Sequence, residues 1–195
     1  IYRLFFACIL FLSMVHSLSA QIPIMTKGYM MYANVIVSHK EASYIVQTLI
    51  DTGSSVCLID STFAVDSCNI KVAENNATIG NTSGKRINSF RAELDSISLG
   101  GISFYKVCCY LIDFVGKFQH KAPKFVLGGD ILKRELWCFD LKNSLMTQCT
   151  SPIKDIKTIL KWRNHEDHSD AFLNSIYFNG KIAGKKSRIL FDTRM

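Results

Sequence analysis

The sequence predicts an all-β fold, and three observations support this prediction. Short apolar runs of strand length alternate with turn residues throughout residues 30–140. The pair Gly100-Gly101 lies between two such runs and predicts a hairpin. A short helical pattern occupies residues 130–134, with Asp130 as the expected N-cap residue. We therefore expect a β domain with one or two short helices.

The expected strands follow one another along the chain and differ in their burial. The first runs are brief and rich in β-type residues, and a polar turn region at residues 75–84 then interrupts the pattern. A continuous apolar run at residues 107–112 is typical of a buried strand. The last runs predict a closing hairpin. The predicted strands are 35–37, 44–46, 49–50, 94–99, 102–107, 107–112 and 125–127, followed by the hairpin at 137–146.

Composition places the chain among ordinary globular proteins. Of its 195 residues, 48% are hydrophobic and 20% are charged, which suffices for one core of full size or two small ones. The net charge of +7 would permit an acidic partner, but Lys and Arg are scattered and form no run longer than two. We therefore interpret the charge as a solvated surface and expect no nucleic-acid partner.

The first 20 residues have the pattern of a secretory signal peptide. Arg3 precedes an apolar run at residues 4–15, and Ala20 supplies a small residue at the expected cleavage point. The run is shorter than the roughly 20 apolar residues that a membrane-spanning helix needs. An uncleaved membrane anchor is the alternative interpretation. We expect residues 1–20 to be removed and the protein to be exported.

The cysteines suggest a disulfide bond near the end of the β region. Six of the seven cysteines lie beyond the predicted signal, and an even number in an oxidising compartment permits disulfides. Cys138 and Cys149 flank a turn centred on Asn143-Ser144, which would place them opposite each other. Buried free thiols are an equal alternative.

The sequence predicts no metal site and no cofactor. A CxxC pair, the usual start of a zinc site, does not occur in it. His165 and His168 have a spacing that could ligate a metal, but the surrounding segment begins with a proline and is highly charged. We therefore interpret residues 151–170 as a linker.

The chain contains an internal repeat with an offset of 141 residues. At this offset residues 35–37 align with 176–178, and residues 49–52 align with 190–193, which end in Asp-Thr in both copies. Both copies therefore have a strand, a polar turn, an apolar pair and Asp-Thr, without a gap. This pattern predicts that a second copy of the first unit begins within residues 171–195.

A carboxyl group that is duplicated on two tight turns suits one kind of chemistry. If a twofold axis brings Asp51 and Asp192 together, both cannot ionise easily, so one stays protonated while the other acts as a base. A water between them can then lose a proton to one carboxylate while the other polarises an amide carbonyl. The apolar flanks limit solvent, and Gly53 permits the turn. The pattern predicts metal-free hydrolysis of an amide bond.

Residues 51–55, Asp-Thr-Gly-Ser-Ser after an apolar pair, resemble the active-site signature of the pepsin and retropepsin superfamily, whose paired aspartates are the known example of this chemistry. Residues 126–128, Val-Leu-Gly, resemble the segment that threads the family's ψ-shaped loop behind the catalytic turn. Residues 129–132 and 137–141 resemble its next short helix and its closing hairpin. The resemblance implies one acid-protease lobe at residues 21–150, a closed or partly open β-barrel with a ψ-loop and one short helix.

With the signal and the repeat, the chain looks most like exported bacterial proteins that carry two such lobes in tandem. The resemblance then implies the periplasm or the extracellular space as the location and an extended peptide or protein as the substrate. It also implies that residues 171–195 are the truncated start of a second lobe.

The resemblance assigns roles to single residues of the two turns. Asp51 and Asp192 would be the catalytic acid and base. Thr52 would lock the two lobes through its hydroxyl group, and Thr193 would support the second turn. Gly53 would permit the close approach of the two backbones.

Two further assignments follow, together with one departure from the family pattern. Ser54 would hydrogen-bond the catalytic carboxylate, and the hairpin flap that covers the family's cleft would fall at residues 79–90. Arg194, however, stands where the family has glycine. Three explanations are open: the chain is a fragment of a two-lobe enzyme, it forms a homodimer in which Asp51 pairs with its symmetry mate, or it is an inactive copy.

We therefore expect an aspartic endopeptidase that hydrolyses peptide bonds. The alternative is a catalytically inactive module that uses the same cleft for dimerisation or to bind an extended peptide as an added strand.

Overall fold

The computed structural model describes most of the predicted lobe and the second Asp-Thr turn. Among the described residues, no helix has the length and hydropathy required to span a bilayer. The predicted signal peptide apart from Ala20, and the predicted linker apart from Leu160 and Trp162, lie outside these residues. The described ranges are 20–72, 76–80, 86–114, 122–150, 160, 162 and 174–193.

Within these ranges the chain forms 13 strands and two short helical segments, so the all-β prediction is confirmed. The helical segments are a π-helical turn at Phe63–Ser67, which the sequence analysis did not predict, and helix α1 at Gly129–Leu132. The strands are β1 (Ile22–Pro23), β2 (Met25–Lys27), β3 (Met30–His39), β4 (Ala42–Ile50), β5 (Cys57–Asp60), β6 (Asn76–Gly80), β7 (Arg86–Leu99), β8 (Ile102–Ile112), β9 (Phe125–Leu127), β10 (Trp137–Asp140), β11 (Leu145–Gln148), β12 (Ile176–Ile182) and β13 (Lys185–Phe191).

The main sheet has eight strands in the order β2-β3-β4-β9-β5-β8-β7-β6. An additional pairing of β3 with β7 curves this sheet into a partly closed barrel. Strand β9 lies between β4 and β5, parallel to the first and antiparallel to the second. A short strand between two strands that are joined by a tight turn is the ψ-shaped arrangement predicted for residues 126–128. That prediction is confirmed.

The core forms because side chains alternate along the strands. In β3, Ala33, Val35 and Val37 are buried while Asn34 and Ile36 between them are exposed. All three residues of β9 are buried, because Phe125 and Leu127 belong to the main core cluster and Val126, on the other face of the strand, belongs to a second apolar cluster. The buried strand β9 therefore forms a rigid support at the centre of the sheet.

The predicted hairpin between β7 and β8 is present, and its turn explains the glycine pair. Gly100 and Gly101 have φ values of +57° and +82°, in the left-handed region that favours glycine. The polar region 75–84 differs from its prediction as a turn, because β6 pairs there with the start of β7. Main-chain hydrogen bonds form that pairing, so it needs no apolar run in the sequence.

Helix α1 spans Gly129–Leu132, the range that the resemblance implied, but the prediction of Asp130 as its N-cap residue was wrong. The N-cap is Gly128, which is extended (φ −92°, ψ 177°) and makes no side-chain capping bond. Asp130 lies in the first turn, where its Oδ1 accepts hydrogen bonds from the Cys57 thiol (3.3 Å) and the Ile131 N–H (3.0 Å). An acidic residue is favourable both at the N-cap position and in the first turn of a helix. The sequence alone therefore does not distinguish these two positions for Asp130, whereas its contact with Cys57 does.

The second Asp-Thr turn follows a hairpin of β12 and β13, but the predicted alignment of the repeat was wrong in its first strand. Leu190 lies opposite Tyr177 in this hairpin, and Leu49 lies opposite Tyr32 in the first one. The two leucines are 141 positions apart and the two tyrosines 145. The second hairpin is shorter, with seven residues in β13 against nine in β4. Its first strand is therefore shifted, while the strand that leads to Asp-Thr stays aligned.

Cys138 and Cys149 form a disulfide bond, with Cα atoms 5.8 Å apart. Cys138 lies in β10 and Cys149 directly follows β11, so the turn at Asn143-Ser144 brings them together as expected. Of the two alternatives left open by the sequence, the bonded pair is the one observed. Among the cysteines that the structure describes, the free thiols are Cys57, Cys68, Cys108 and Cys109.

The disulfide is expected to stabilise the closing hairpin. Replacing both cysteines (Cys138→Ser with Cys149→Ser) should lower the free energy of unfolding by about 2–3 kcal/mol, because the bond closes a loop with a sequence separation of 11. Urea unfolding of the full chain measures the difference. A reducing agent should lower the midpoint of the wild type and leave that of the double variant unchanged. Equal midpoints for both proteins without reductant would contradict this role.

Candidate active site

Asp51 directly follows β4 and lies on the turn that leads to β5. Only 2% of the residue is exposed. Its N–H donates to the carbonyl of Leu127 at the end of β9 (3.1 Å). Its Oδ1 accepts hydrogen bonds from the N–H groups of Gly53 and Ser54, both at 3.0 Å. Two amide donors on one oxygen fix the orientation of the carboxyl group.

Thr52 and Thr193 join the two Asp-Thr turns through a reciprocal set of hydrogen bonds. The N–H of each threonine donates to the Oγ1 of the other, at 3.1 Å and 3.0 Å. The Thr52 hydroxyl donates to the carbonyl of Phe191 (3.0 Å), and the Thr193 hydroxyl donates to the carbonyl of Ile50 (2.8 Å). Phe191 and Ile50 are equivalent positions of the repeat, so each bond has a counterpart. The two turns are therefore related by a local twofold axis.

Asp192 lies against Gly53. A Cβ atom at Gly53 would collide with the Asp192 carboxyl group, so a larger residue there would displace one of the two turns. The Gly53 N–H is also bonded to Asp51. Both predicted catalytic residues thus border the same glycine.

Ser54 contacts the Asp51 carboxyl group through its backbone and not through its hydroxyl group. The amide N–H makes the bond to Oδ1, whereas the hydroxyl donates to the carbonyl of Val56 (2.8 Å). The predicted contact with the carboxylate therefore exists, but any residue with a free N–H could supply it. The side chain instead stabilises the turn after it.

The ψ-loop supports the Asp51 turn from behind. The Gly129 N–H donates to the carbonyl of Ser54 (2.7 Å), next to the bond from Asp51 to Leu127. A Cβ atom at Gly128 would collide with the carbonyl of Val56. Close approach of the two backbones therefore requires glycine at this position.

Comparison with known proteins identifies the first part of the chain. Residues 41–131 match the profile of a family described as aspartyl protease. This segment, which is less than half of the chain, is therefore similar to aspartyl proteases. It includes the strand before Asp51, the turn that carries Asp51 and the ψ-loop, whereas Asp192 and Thr193 lie outside it.

Two further comparisons accompany this match. No curated protein matches the chain. Among solved structures, the chain is similar to a retropepsin-like aspartic protease from Rickettsia conorii, with 17% identity and a TM-score of 0.44 over 66% of this chain and 89% of that one.

Residues just before β12 also contact the turn that follows Asp51. No motif in the sequence indicated them. The Ser175 hydroxyl lies 3.2 Å from that of Ser55, and the Asn174 side chain donates to the Ser55 carbonyl (3.0 Å). Both contacting residues are buried. A polar pair before a strand looks like any turn in the sequence, so no local signal distinguishes them.

A small apolar cluster connects the strand before Asp51 to the predicted flap. Leu49, two residues before Asp51, belongs to this cluster, and Ile79 and Ile87 of the β6–β7 hairpin pack against it. The region 79–90 is thus a hairpin in its described part, while residues 81–85 lie outside the described ranges. Its role as a flap stays a prediction.

Arg194 lies outside the described residues, so its predicted position in the second turn has no structural description. The described part of the chain contains no group of three or more His, Cys, Asp or Glu side chains that could hold a metal ion.

A cavity of about 110 Å³ adjoins Thr52 and is lined mainly by Leu132, Trp137, Phe139 and Trp162. Ligand pockets usually have roughly 300–1,000 Å³. We therefore interpret this cavity as a packing gap beside the twofold axis and not as the substrate groove.

Removal of one threonine hydroxyl should separate the two turns. Thr52→Val has nearly the same shape but leaves the Thr193 N–H and the Phe191 carbonyl without partners, so the free energy of unfolding should fall by about 1–3 kcal/mol. Urea unfolding of the full chain measures this loss, and limited proteolysis should cut the β12–β13 hairpin faster.

Two variants serve as controls for this prediction. Thr52→Ser keeps the hydroxyl group and should retain most of the stability. Thr48→Val removes another buried hydroxyl whose bond stays within its own strand, and it should leave the proteolysis rate unchanged. Equal behaviour of the variants at 52 and 48 would show that the hydroxyl network does not hold the turns together.

Proposed function

We propose that the chain is an aspartic endopeptidase in which Asp51 and Asp192 form the catalytic pair. The reciprocal network of Thr52 and Thr193 carries this proposal, because it relates two Asp-Thr turns by a twofold axis. The match of residues 41–131 to aspartyl proteases supports the reaction class. The contact of both carboxyl groups with Gly53 supports the pairing.

The proposed mechanism uses one protonated and one ionised carboxyl group at a shared water. Two carboxyl groups in one small site hold a single proton between them, because a second negative charge would be repelled. The ionised group takes a proton from the water, which attacks the amide carbon, while the protonated group donates to the carbonyl oxygen. The N–H groups of Gly53 and Ser54 keep Asp51 oriented during the transfer. No covalent intermediate with the protein is formed.

The proposal pairs Asp51 with Asp192 of the same chain instead of Asp51 of a second copy. In a homodimer, Thr52 of each copy would have to occupy the place of Thr193 in the other. The Thr193 hydroxyl and N–H already bond to this face of Thr52. Within one chain, Thr193 therefore already occupies the hydrogen-bonding groups of Thr52 that a second copy would have to contact in a homodimer.

The proposed substrate is an extended peptide or protein, and the proposed location is outside the cytoplasm. The family match supports a peptide substrate. The disulfide between Cys138 and Cys149 supports an oxidising compartment, in agreement with the signal-like pattern of residues 1–20.

Replacement of either aspartate should abolish cleavage without unfolding the protein. Asp51→Asn and Asp192→Asn should each lower kcat for cleavage of a peptide library by about 10²- to 10⁴-fold, because an amide cannot exchange the proton. Binding of the same peptides should change little. Asp66→Asn, at an exposed aspartate, is the matched control and should cleave like the wild type. Pepstatin should inhibit the wild type.

The same experiment decides between the endopeptidase and a peptide-binding module. A wild-type chain that binds library peptides between pH 3 and 7 but cleaves none of them would refute the endopeptidase (the pH limits are roughly those at which carboxyl pairs work). Cleavage that persists in Asp192→Asn but not in Asp51→Asn would refute the pairing within one chain.

A further inference from the structure

Cys57 and Asp130 form a hydrogen-bonded pair behind the catalytic turn. Cys57 begins β5 and is fully buried, and Asp130 lies in the first turn of α1. The Cys57 thiol donates to Asp130 Oδ1 (3.3 Å), and the Gly128 N–H donates to Cys57 Sγ (3.4 Å). The sulfur therefore connects the helix carboxyl group to the backbone of the ψ-loop.

The protonation state of the Cys57 thiol determines which group donates each of these hydrogen bonds. Burial raises the pKa of the Cys57 thiol well above its usual range, and the nearby Asp130 raises it further. The thiol is therefore protonated at neutral pH and can donate to Asp130 while its sulfur accepts from Gly128. Burial also raises the pKa of Asp130, whereas the hydrogen bonds from Cys57 and Ile131 and the charge of Arg134 lower it.

The segment held by this pair is the one that supports Asp51. Leu127, on one side of Gly128, accepts the hydrogen bond from the Asp51 N–H. Gly129, on the other side, donates to the carbonyl of Ser54. A displacement of Gly128 would therefore move both attachment points of the catalytic turn.

We propose that Cys57 and Asp130 are positioning residues, which hold the ψ-loop and through it orient the Asp51 carboxyl group for proton transfer. This inference rests on the proposed endopeptidase function. Neither residue is among the groups that contact the water or the substrate in that proposal. Because proton transfer depends steeply on geometry, a small shift of the turn should lower kcat and leave KM nearly unchanged.

Cys57→Ala and Cys109→Ala form a matched pair of variants. Cys109 lies opposite Cys57 on β8 and is equally buried, so both changes remove one sulfur atom from the same part of the core. Cys109 takes part in none of the hydrogen bonds described above that join the ψ-loop to Cys57 or to the Asp51 turn. Both variants should lose similar stability. Only Cys57→Ala should lower kcat, by roughly 10- to 100-fold.

Conservative variants provide the rescue. Cys57→Ser retains a hydroxyl donor and acceptor, and Asp130→Asn retains the Oδ1 acceptor. Both should keep kcat within about threefold of the wild type, whereas Asp130→Ala should match Cys57→Ala. Equal kcat values for the alanine variants at 57 and 109, or no rescue by either conservative variant, would overturn the inference. If Cys57→Ala does not fold, the Asp130 pair decides the question.

Amide hydrogen exchange separates a failure of this inference from a failure of the proposed function. In the full chain, Cys57→Ala should accelerate exchange at the Asp51 and Gly129 N–H groups, and Cys109→Ala should not, whether or not the wild type cleaves peptides. A wild type without activity but with this difference in exchange would refute the endopeptidase and support the coupling. Equal exchange in both variants would refute the coupling.

Discussion

Two threonine hydroxyl groups join the candidate catalytic turns, and the position of both carboxyl groups depends on this contact. Each hydroxyl accepts a hydrogen bond from the threonine N–H of the opposite turn and donates to the carbonyl that ends the strand before that opposite turn. The Thr52 side of this contact is buried, so a separation would leave polar groups without water or protein partners. Apolar surfaces can slide past each other at small cost, but directional bonds of this kind permit one arrangement. They thereby place Asp192 against Gly53.

The other side of the catalytic turn depends on the central strand β9. This strand is buried and has neighbours on both sides, so it moves little relative to the sheet. Its last residue, Leu127, and the following glycines form backbone contacts with the turn. The turn is therefore enclosed between β9 and the Thr193 segment, and its side chains have little freedom. Such preorganisation is what proton transfer between fixed groups requires.

Much of this arrangement could be predicted from local patterns. Asp51 and Thr52 are recognisable because Asp-Thr after an apolar pair recurs 141 positions later, whereas Asp-Thr-Gly alone would look like an ordinary turn. The Val-Leu-Gly segment is recognisable because a fully buried strand has no polar alternation. The sequence alignment of the repeat was correct for the second strand of each hairpin and wrong by four residues for the first. A shift of four residues is even, so it keeps each side chain on the same face of the strand and leaves the apolar pattern unchanged. In the correct alignment Tyr32 and Tyr177 are equivalent positions of the two hairpins. The apolar pattern alone does not distinguish this alignment from the predicted one.

The sequence by itself determined the class of fold, the order of the strands around Asp51 and the chemical type of the two turns. These depend on side-chain alternation and on the backbone freedom of single residues, which are local properties. Only the tertiary structure decided that Asp192 borders Gly53, that Asn174 and Ser175 contact the turn, and that Cys57 donates to Asp130. These contacts join residues between 73 and 139 positions apart. Their partners are chosen by the packing of the whole sheet, so no local pattern of the chain contains them.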